Sequence, residues 1–185
     1  AILFTNVDEG YIYNNTINTF PQHVGKGRID GVSLNETSNI SVMDNNISSN
    51  EFSILAASIH LHNSSNIILK GNKLNLSGPG FFGIESLDMP SSYVVIDSNN
   101  IIFSGEGAGI WNVGQNITNN IINVTNYTGS NYGLRASENS TILNNTFYVR
   151  GCGVELSDYS TFENNTVVSQ NFVGLKVLGS YSNIS

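Results

Sequence analysis

A short unit recurs along the whole chain, and this recurrence restricts the fold more than any other feature does. The unit begins with a glycine that is followed by an apolar, a variable and a second apolar residue, as in Gly153–Leu156. A polar corner comes next, and then an asparagine that stands two positions before an apolar residue, as Asn165 stands before Val167. Successive copies begin 20–27 residues apart, and self-similarity at such a period is typical of solenoids.

The spacing of the polar corners leaves room for strands but not for helices. No window shows a sustained apolar period of 3.6 residues, so we expect almost no helix. Crossover helices do not fit between the strands, and two-residue hairpin signals are missing, which disfavours βαβ units and hairpins. We therefore predict an all-β fold, a right-handed single-stranded parallel β-helix of about seven rungs with asparagine ladders.

The repeat runs from end to end, so we expect residues 1–185 to form one β-helix domain or segment. Proline and glycine interrupt it at three places, which predicts loop insertions near 20–27, 77–80 and 88–92. The chain starts without an initiator methionine or a signal peptide. We read it as a mature product or an excised segment.

The corner asparagine of each unit is expected to have two structural roles. Asparagine tolerates the left-handed backbone of a sharp corner, and its amide can bond to the equivalent amide one coil away. The predicted ladder consists of Asn15, Asn45, Asn72, Asn99, Asn119, Asn145 and Asn165. The apolar residues two positions later are predicted to stack as a buried column, namely Ile47, Leu74, Ile101, Ile121, Phe147 and Val167.

The glycine-initiated strand and the asparagine corner together resemble the NosD/CASH-type parallel β-helix repeats, over the whole chain. Repeats of this type are abundant in secreted and cell-surface proteins, notably those of methanogenic archaea. The same fold serves polysaccharide lyases and hydrolases, phage tailspikes, a copper-related periplasmic accessory protein, and surface-layer or sheath components. The resemblance therefore implies a fold and a surface context, and not one activity.

Composition excludes two classes of partner. The net charge of −7 and the pI near 4.7 argue against nucleic acid, because binding phosphate requires a basic surface. No apolar run approaches the ~18 residues of a membrane span.

The single cysteine, Cys152, leaves no internal disulfide; we expect a small buried core residue, with an intermolecular disulfide as the alternative.

Thirteen Asn-x-Ser/Thr sequons are the strongest signal that the fold itself does not explain. Part of this large number comes from the Asn-Asn-Thr corner of the repeat, which creates sequons by itself, but several sequons lie outside that corner. They predict a glycosylated exterior. The candidate asparagines are Asn14, Asn35, Asn39, Asn46, Asn63, Asn75, Asn116, Asn123, Asn126, Asn139, Asn144, Asn164 and Asn183.

The variable position of the glycine-initiated strand predicts a column on the outer surface, composed of Ser33, His60, Glu85, Trp111, Arg135, Glu155 and Lys176. Glu85, Trp111, Arg135 and Glu155 are the candidates for contact with a glycan, with the tryptophan as a stacking platform and the two glutamates as an acid and a base. The structural alternative is that Arg135, Glu155 and Lys176 alternate in sign across neighbouring rungs.

The sequence predicts no catalytic residues, no metal site and no cofactor. The two glutamates are three rungs apart, about 14 Å, which exceeds both separations that glycosidases use. Clustered aspartates, as in the β-helix hydrolases and lyases, do not occur. His60 and His62 share a strand face and are a possible metal-binding pair. Two exposed histidines, however, more often bind no metal.

We therefore interpret the chain as a structural, glycosylated protein of the cell surface, from a sheath, surface layer or filament. Its expected partners are itself and surface glycans. Both ends carry strand-like segments without a cap, which predicts either truncation of a longer monomer or assembly through exposed β-edges. A carbohydrate-binding or polysaccharide-cleaving β-helix is the alternative function.

Overall fold

The computed structural model describes residues 1–19, 30–50, 56–86, 91–113, 115–125 and 131–185. These residues form 21 strands, numbered β1–β21 in chain order, and no helix. Every strand pairing is parallel and joins equivalent strands of successive coils. The predicted all-β parallel β-helix is confirmed.

Each coil places strands on three successive faces. Face 1 contains β1 (Ile2–Thr5), β4 (Val32–Asn35), β7 (Ala56–His62), the second parts of β9 (Lys73–Ser86) and β11 (Asn100–Trp111), β14 (Tyr132–Arg135), β17 (Cys152–Leu156) and β20 (Leu175–Val177). Face 2 contains β2 (Gly10–Tyr13), β5 (Ile40–Met43), β8 (Ser65–Lys70), β10 (Ser92–Asp97), β12 (Asn116–Thr118), β15 (Thr141–Leu143), β18 (Thr161–Glu163) and β21 (Asn183–Ile184). Face 3 contains β3 (Thr16–Thr19), β6 (Asn46–Asn50), the first parts of β9 and β11, β13 (Ile121–Val124), β16 (Thr146–Arg150) and β19 (Thr166–Gln170).

The register between coils follows the glycine-initiated unit. On face 1, the first apolar residue of each unit pairs with the same residue of the next, through Val32, Ile59, Ile84, Ile110, Leu134, Val154 and Leu175. All of these are fully buried except Leu175, which is partly buried. Together with their counterparts on faces 2 and 3 they form one apolar core that runs through the solenoid. The eight strands of face 2 correspond to seven steps between coils.

An asparagine ladder crosses the corner between faces 2 and 3. In each step, one side-chain oxygen accepts hydrogen bonds from the backbone N–H and the side-chain amide of the asparagine one coil earlier, at 2.8–3.1 Å. The members are Asn15, Asn45, Asn72, Asn99, Asn120, Asn145 and Asn165.

The fifth ladder position corrects the sequence prediction. The ladder residue is Asn120 and not Asn119, and the apolar residue two positions later is the buried Ile122, whereas Ile121 is 48% exposed. Asn119 instead has a positive φ of 56°. The same holds at the other coils, where the residue before the ladder asparagine takes the left-handed conformation, as Asn14 and Asp44 do. The ladder asparagine therefore does not itself need that conformation.

The three predicted loop insertions have different outcomes. Residues 77–80 do not form a separate loop, because β9 continues through them. The only irregularity there is a bulge, since Gly78 pairs with Gly105 and Phe81 with Gly107. The insertion near 20–27 lies outside the described residues, as does most of the one near 88–92, whose last residue, Ser92, begins β10.

Candidate functional site

The outer surface of face 1 carries the column that the repeat predicts, which we call the polar column. Ser33, His60, Glu85, Trp111, Arg135, Glu155 and Lys176 follow one another in register across the coils. Its position follows from the buried apolar residue that precedes each member, such as Val154 before Glu155, because alternation along a strand sends the next residue outward.

Three charged residues of the polar column form a chain of ion pairs. The Arg135 guanidinium approaches one carboxylate oxygen of Glu155 at 2.7 Å, and the Lys176 ammonium donates to the other at 3.0 Å. Glu155 is 2% exposed, although it lies on an outer face. The hydrogen bond to Glu155, and then its charge, raise the pKa of the Lys176 ammonium. The predicted alternation of sign is therefore realised as direct contacts.

Trp111 is enclosed by side chains of its own face. The Arg135 guanidinium lies over the indole ring, 4.6 Å from the ring centroid. Phe82 contacts the ring from the preceding coil at 5.3 Å, and Tyr132 meets it edge-on from the following coil at 5.9 Å. A surface depression of about 240 Å³ remains beside Trp111 and Arg135. One face of the predicted stacking platform is thus already occupied by a cation–π contact.

Glu85 occupies the neighbouring part of the column and is fully buried. His60, on the preceding coil, places its Nδ1 atom 3.7 Å from Glu85 Oε1. The sequence did not predict this burial, because its pattern assigns the whole column to solvent. The burial of Glu85 could have been predicted from the size of its neighbours, because a histidine and a tryptophan stand in register on either side of it.

Cys152 lies beside this column and corrects another prediction. It is a free thiol that is partly exposed, whereas Val154 on the same strand is fully buried. Its neighbour in register is Tyr132, which contacts Trp111 on the outer side. The simple alternation that was expected to bury Cys152 together with Val154 does not hold here, and Tyr132, in register with Cys152, is also partly exposed.

The ion pairs of the polar column limit the chemistry that its side chains can perform. The Glu155 carboxylate is 2% exposed and already paired with two cations, so little of it is available to a substrate. Glu85 and Glu155 are separated by the coils of Trp111 and Arg135, in line with the predicted distance of about 14 Å. In the described parts of the chain, no group of three histidine, cysteine, aspartate or glutamate side chains is arranged to hold a metal ion.

The sequons are distributed over the surface and not over the core. Of the thirteen, Asn126 lies outside the described residues, and none of the other twelve asparagines is buried. Asn14, Asn39, Asn63, Asn139, Asn144 and Asn164 lie at corners with a positive φ. None of the ladder asparagines is the glycan-accepting residue of a sequon, although Asn15, Asn145 and Asn165 are the middle residues of three sequons.

The comparisons with known proteins support the fold. A family model described as a right-handed β-helix region matches residues 30–185. No curated protein and no solved structure matches the chain significantly. Within the described residues, no helix has the length and apolar character needed to cross a membrane.

Proposed function

The chain belongs to the right-handed β-helix family, and we propose that it is a structural, N-glycosylated component of an extracellular surface such as a sheath, a surface layer or a filament. In this role the solenoid supplies a rigid rod, and its faces supply the attachment points for glycans. The polar column of face 1 then contributes stability across coils.

The observation that carries the proposal is the partition of asparagines between the interior and the surface. The asparagines that join the coils through the ladder are never the glycan-accepting residue of a sequon. Asparagines that belong to sequons reach solvent at all twelve described positions. A chain with this partition accepts glycans at many sites without disturbing its core, because a bulky sugar requires an exposed attachment point.

The proposal includes self-association through sheet edges. Among the described residues, β1, β2 and β3 pair only with the following coil, and β19, β20 and β21 only with the preceding one. Such edges accept a further strand, either from a second copy or from another coil of a longer chain. Sedimentation of the native protein separates the two cases, because a monomer of the full precursor mass contradicts self-association.

A direct test of the glycosylated surface role is the mass of the native protein before and after enzymatic removal of N-glycans. We expect a decrease in mass and several occupied sequons in peptide maps. A native protein of unmodified mass would overturn the proposal. The matched negative control is the ladder set, since Asn45 and Asn165 should remain unmodified.

Carbohydrate binding is the second candidate, and Trp111 is the observation that favours it. Its indole ring borders a depression together with Arg135, and an aromatic ring next to a cation suits an acidic sugar. Titration with acidic polysaccharides, monitored by tryptophan fluorescence, tests this candidate, since Trp111 is the only tryptophan of the chain. Cleavage of the same polysaccharides would instead favour the alternative of a polysaccharide-cleaving β-helix.

A further inference from the structure

Face 3 exposes apolar side chains in an arrangement that the core does not explain. One column, which we call the mixed column, runs in register through Asn75, Ile102, Asn123, Tyr148 and Val168. Ile102 is 38%, Tyr148 48% and Val168 43% exposed. In the adjacent column Ile121 is 48% exposed. Several exposed apolar side chains on one face are the kind of surface that something often covers.

The same column contains two sequon asparagines, and they alternate with its apolar residues. Asn75 is in register with Ile102, and Asn123 lies between Ile102 and Tyr148. In both sequons the middle residue, Leu76 or Val124, is buried, so that the asparagine before it and the serine or threonine after it point outward. The sequence thus places attachment points for sugars within the apolar surface itself.

We propose that N-linked glycans on Asn75 and Asn123 lie along face 3 and cover its apolar residues, with Tyr148 as the platform for the first sugar on Asn123. The inference rests on the glycosylation that the proposed function includes, and adds where the glycans lie and what they do. Residues in register on neighbouring strands are about 4.8 Å apart, so a sugar attached to Asn123 begins next to the Tyr148 ring. The C–H face of a pyranose can pack on such a ring, while the phenol hydroxyl stays in water.

The groove beside these residues provides room for the sugar. It has a volume of about 400 Å³ and is lined by Asn123, Tyr148, Val168, Arg150, Thr125 and Gln170. The arginine and the glutamine supply polar donors at its rim, which suit sugar hydroxyls.

Face 2 repeats the arrangement, and face 1 does not. On face 2, sequon Asn116 is in register with Val95, which is in register with Ile68, itself 41% exposed. On face 1, the polar column and its neighbour through Phe82 and Tyr132 contain no sequon. There the aromatic Trp111 is covered by Arg135 instead. Asn75, Asn116 and Asn123 thus lie in columns that contain exposed apolar side chains, whereas the strand sequons at Asn35 and Asn46 have polar neighbours in register.

The test uses the full chain secreted from a host that N-glycosylates. Site occupancy is measured by peptide mass spectrometry, and the sugar protons at Asn123 are observed by NMR. We expect Asn123 to be occupied, and the protons of its first sugar to be shifted upfield by the Tyr148 ring. Tyr148→Ser keeps the sequon and should abolish the shift. Binding of a hydrophobic dye should rise in Asn75→Gln/Asn123→Gln but not in the corner variant Asn144→Gly/Asn164→Gly, which removes two sequons and keeps the left-handed corners.

The outcomes separate this inference from the function on which it rests. Occupied Asn123 without an upfield shift, or with dye binding unchanged by its removal, overturns the inference and leaves the glycosylated surface role intact. Occupied corner sequons with bare Asn75 and Asn123 do the same. If no sequon is occupied in the native protein, the proposed function fails as well.

Discussion

Asn120 Oδ1 accepts two hydrogen bonds from Asn99, one from its backbone N–H at 2.8 Å and one from its side-chain amide at 3.0 Å. The amide of Asn120 in turn donates to Ile96 O at 2.9 Å and to the next ladder oxygen, on Asn145, at 3.0 Å. Both asparagines are 1% exposed. The side chain of Asn120 therefore joins its own coil to the coils before and after it, in a place that water does not reach.

The first prediction is that Asn120→Ala destabilises the protein by about 1–3 kcal/mol, because the buried N–H groups of Asn99 lose their acceptor. The matched control is Asn119→Gly, which keeps the left-handed corner and removes only an exposed hydrogen bond to Asp97. We expect the control to cost less than about 1 kcal/mol. Denaturant unfolding of both variants measures the difference. An equal or larger loss for Asn119→Gly would contradict the ladder assignment.

The misassignment of Asn119 shows what a repeat pattern can and cannot locate. The residues Asn119, Asn120, Ile121 and Ile122 fit two registers equally, since each contains an asparagine two positions before an isoleucine. A slip by one residue exchanges the inner and the outer face. The neighbouring coils resolve the choice, because their ladder residue is always the second of the corner pair, as in Asn144 and Asn145.

The second prediction concerns the close approach of successive coils at the glycine that begins each unit. A Cβ on Gly153 would lie 2.2 Å from Gly174 O and 2.5 Å from Val167 Cγ1, whereas a Cβ on Gly174 would meet nothing nearer than 3.9 Å. Gly153→Ala should therefore cost at least about 1–3 kcal/mol, since backbone must move, while Gly174→Ala should change the stability little. Thermal unfolding compares the two. Equal midpoints would show that the coils adapt without strain.

The third prediction is that Glu155→Gln destabilises the protein by about 1–3 kcal/mol, because Arg135 and Lys176 lose the charge they share. Lys176→Met should cause a smaller loss, because Arg135 still pairs with the carboxylate. Unfolding in urea at two salt concentrations checks both variants. A Glu155→Gln protein as stable as the original would show that the ion pairs are not net stabilising.

The polar column was predictable as a column, but its chemistry was not. Alternation along the strands and the repeat together give the register of Glu85, Trp111, Arg135 and Glu155. The burial of both glutamates and the covering of Trp111 depend on the lengths and rotamers of neighbouring side chains across coils, which a one-dimensional pattern does not contain. Cys152 likewise is partly exposed, although Val154, two residues later on the same strand, is fully buried.

The last prediction concerns acid stability and a cluster on face 2 around Asp97. Burial alone would raise the pKa of the Asp97 carboxyl, but hydrogen bonds from Asn119, Thr118, Lys70 and Ser98 together outweigh it and lower the pKa below the ordinary value of 3.8. Asn119 Nδ2 and Thr118 Oγ1 donate to Asp97 Oδ1 at 2.8 and 2.9 Å, and Lys70 lies 3.2 Å from the other oxygen.

A carboxyl whose pKa is lowered by folding stabilises the folded state above its unfolded pKa, and this contribution disappears as the pH falls through the folded value. The difference in unfolding free energy between the original protein and Asp97→Asn should therefore shrink as the pH is lowered below about 4. Thr118→Val removes one donor and should move the NMR titration midpoint of Asp97 upward. Both measurements use protein without glycans, because Thr118 completes the Asn116 sequon. A difference that stays constant from neutral to acid pH would show that these hydrogen bonds do not favour the ionised carboxylate.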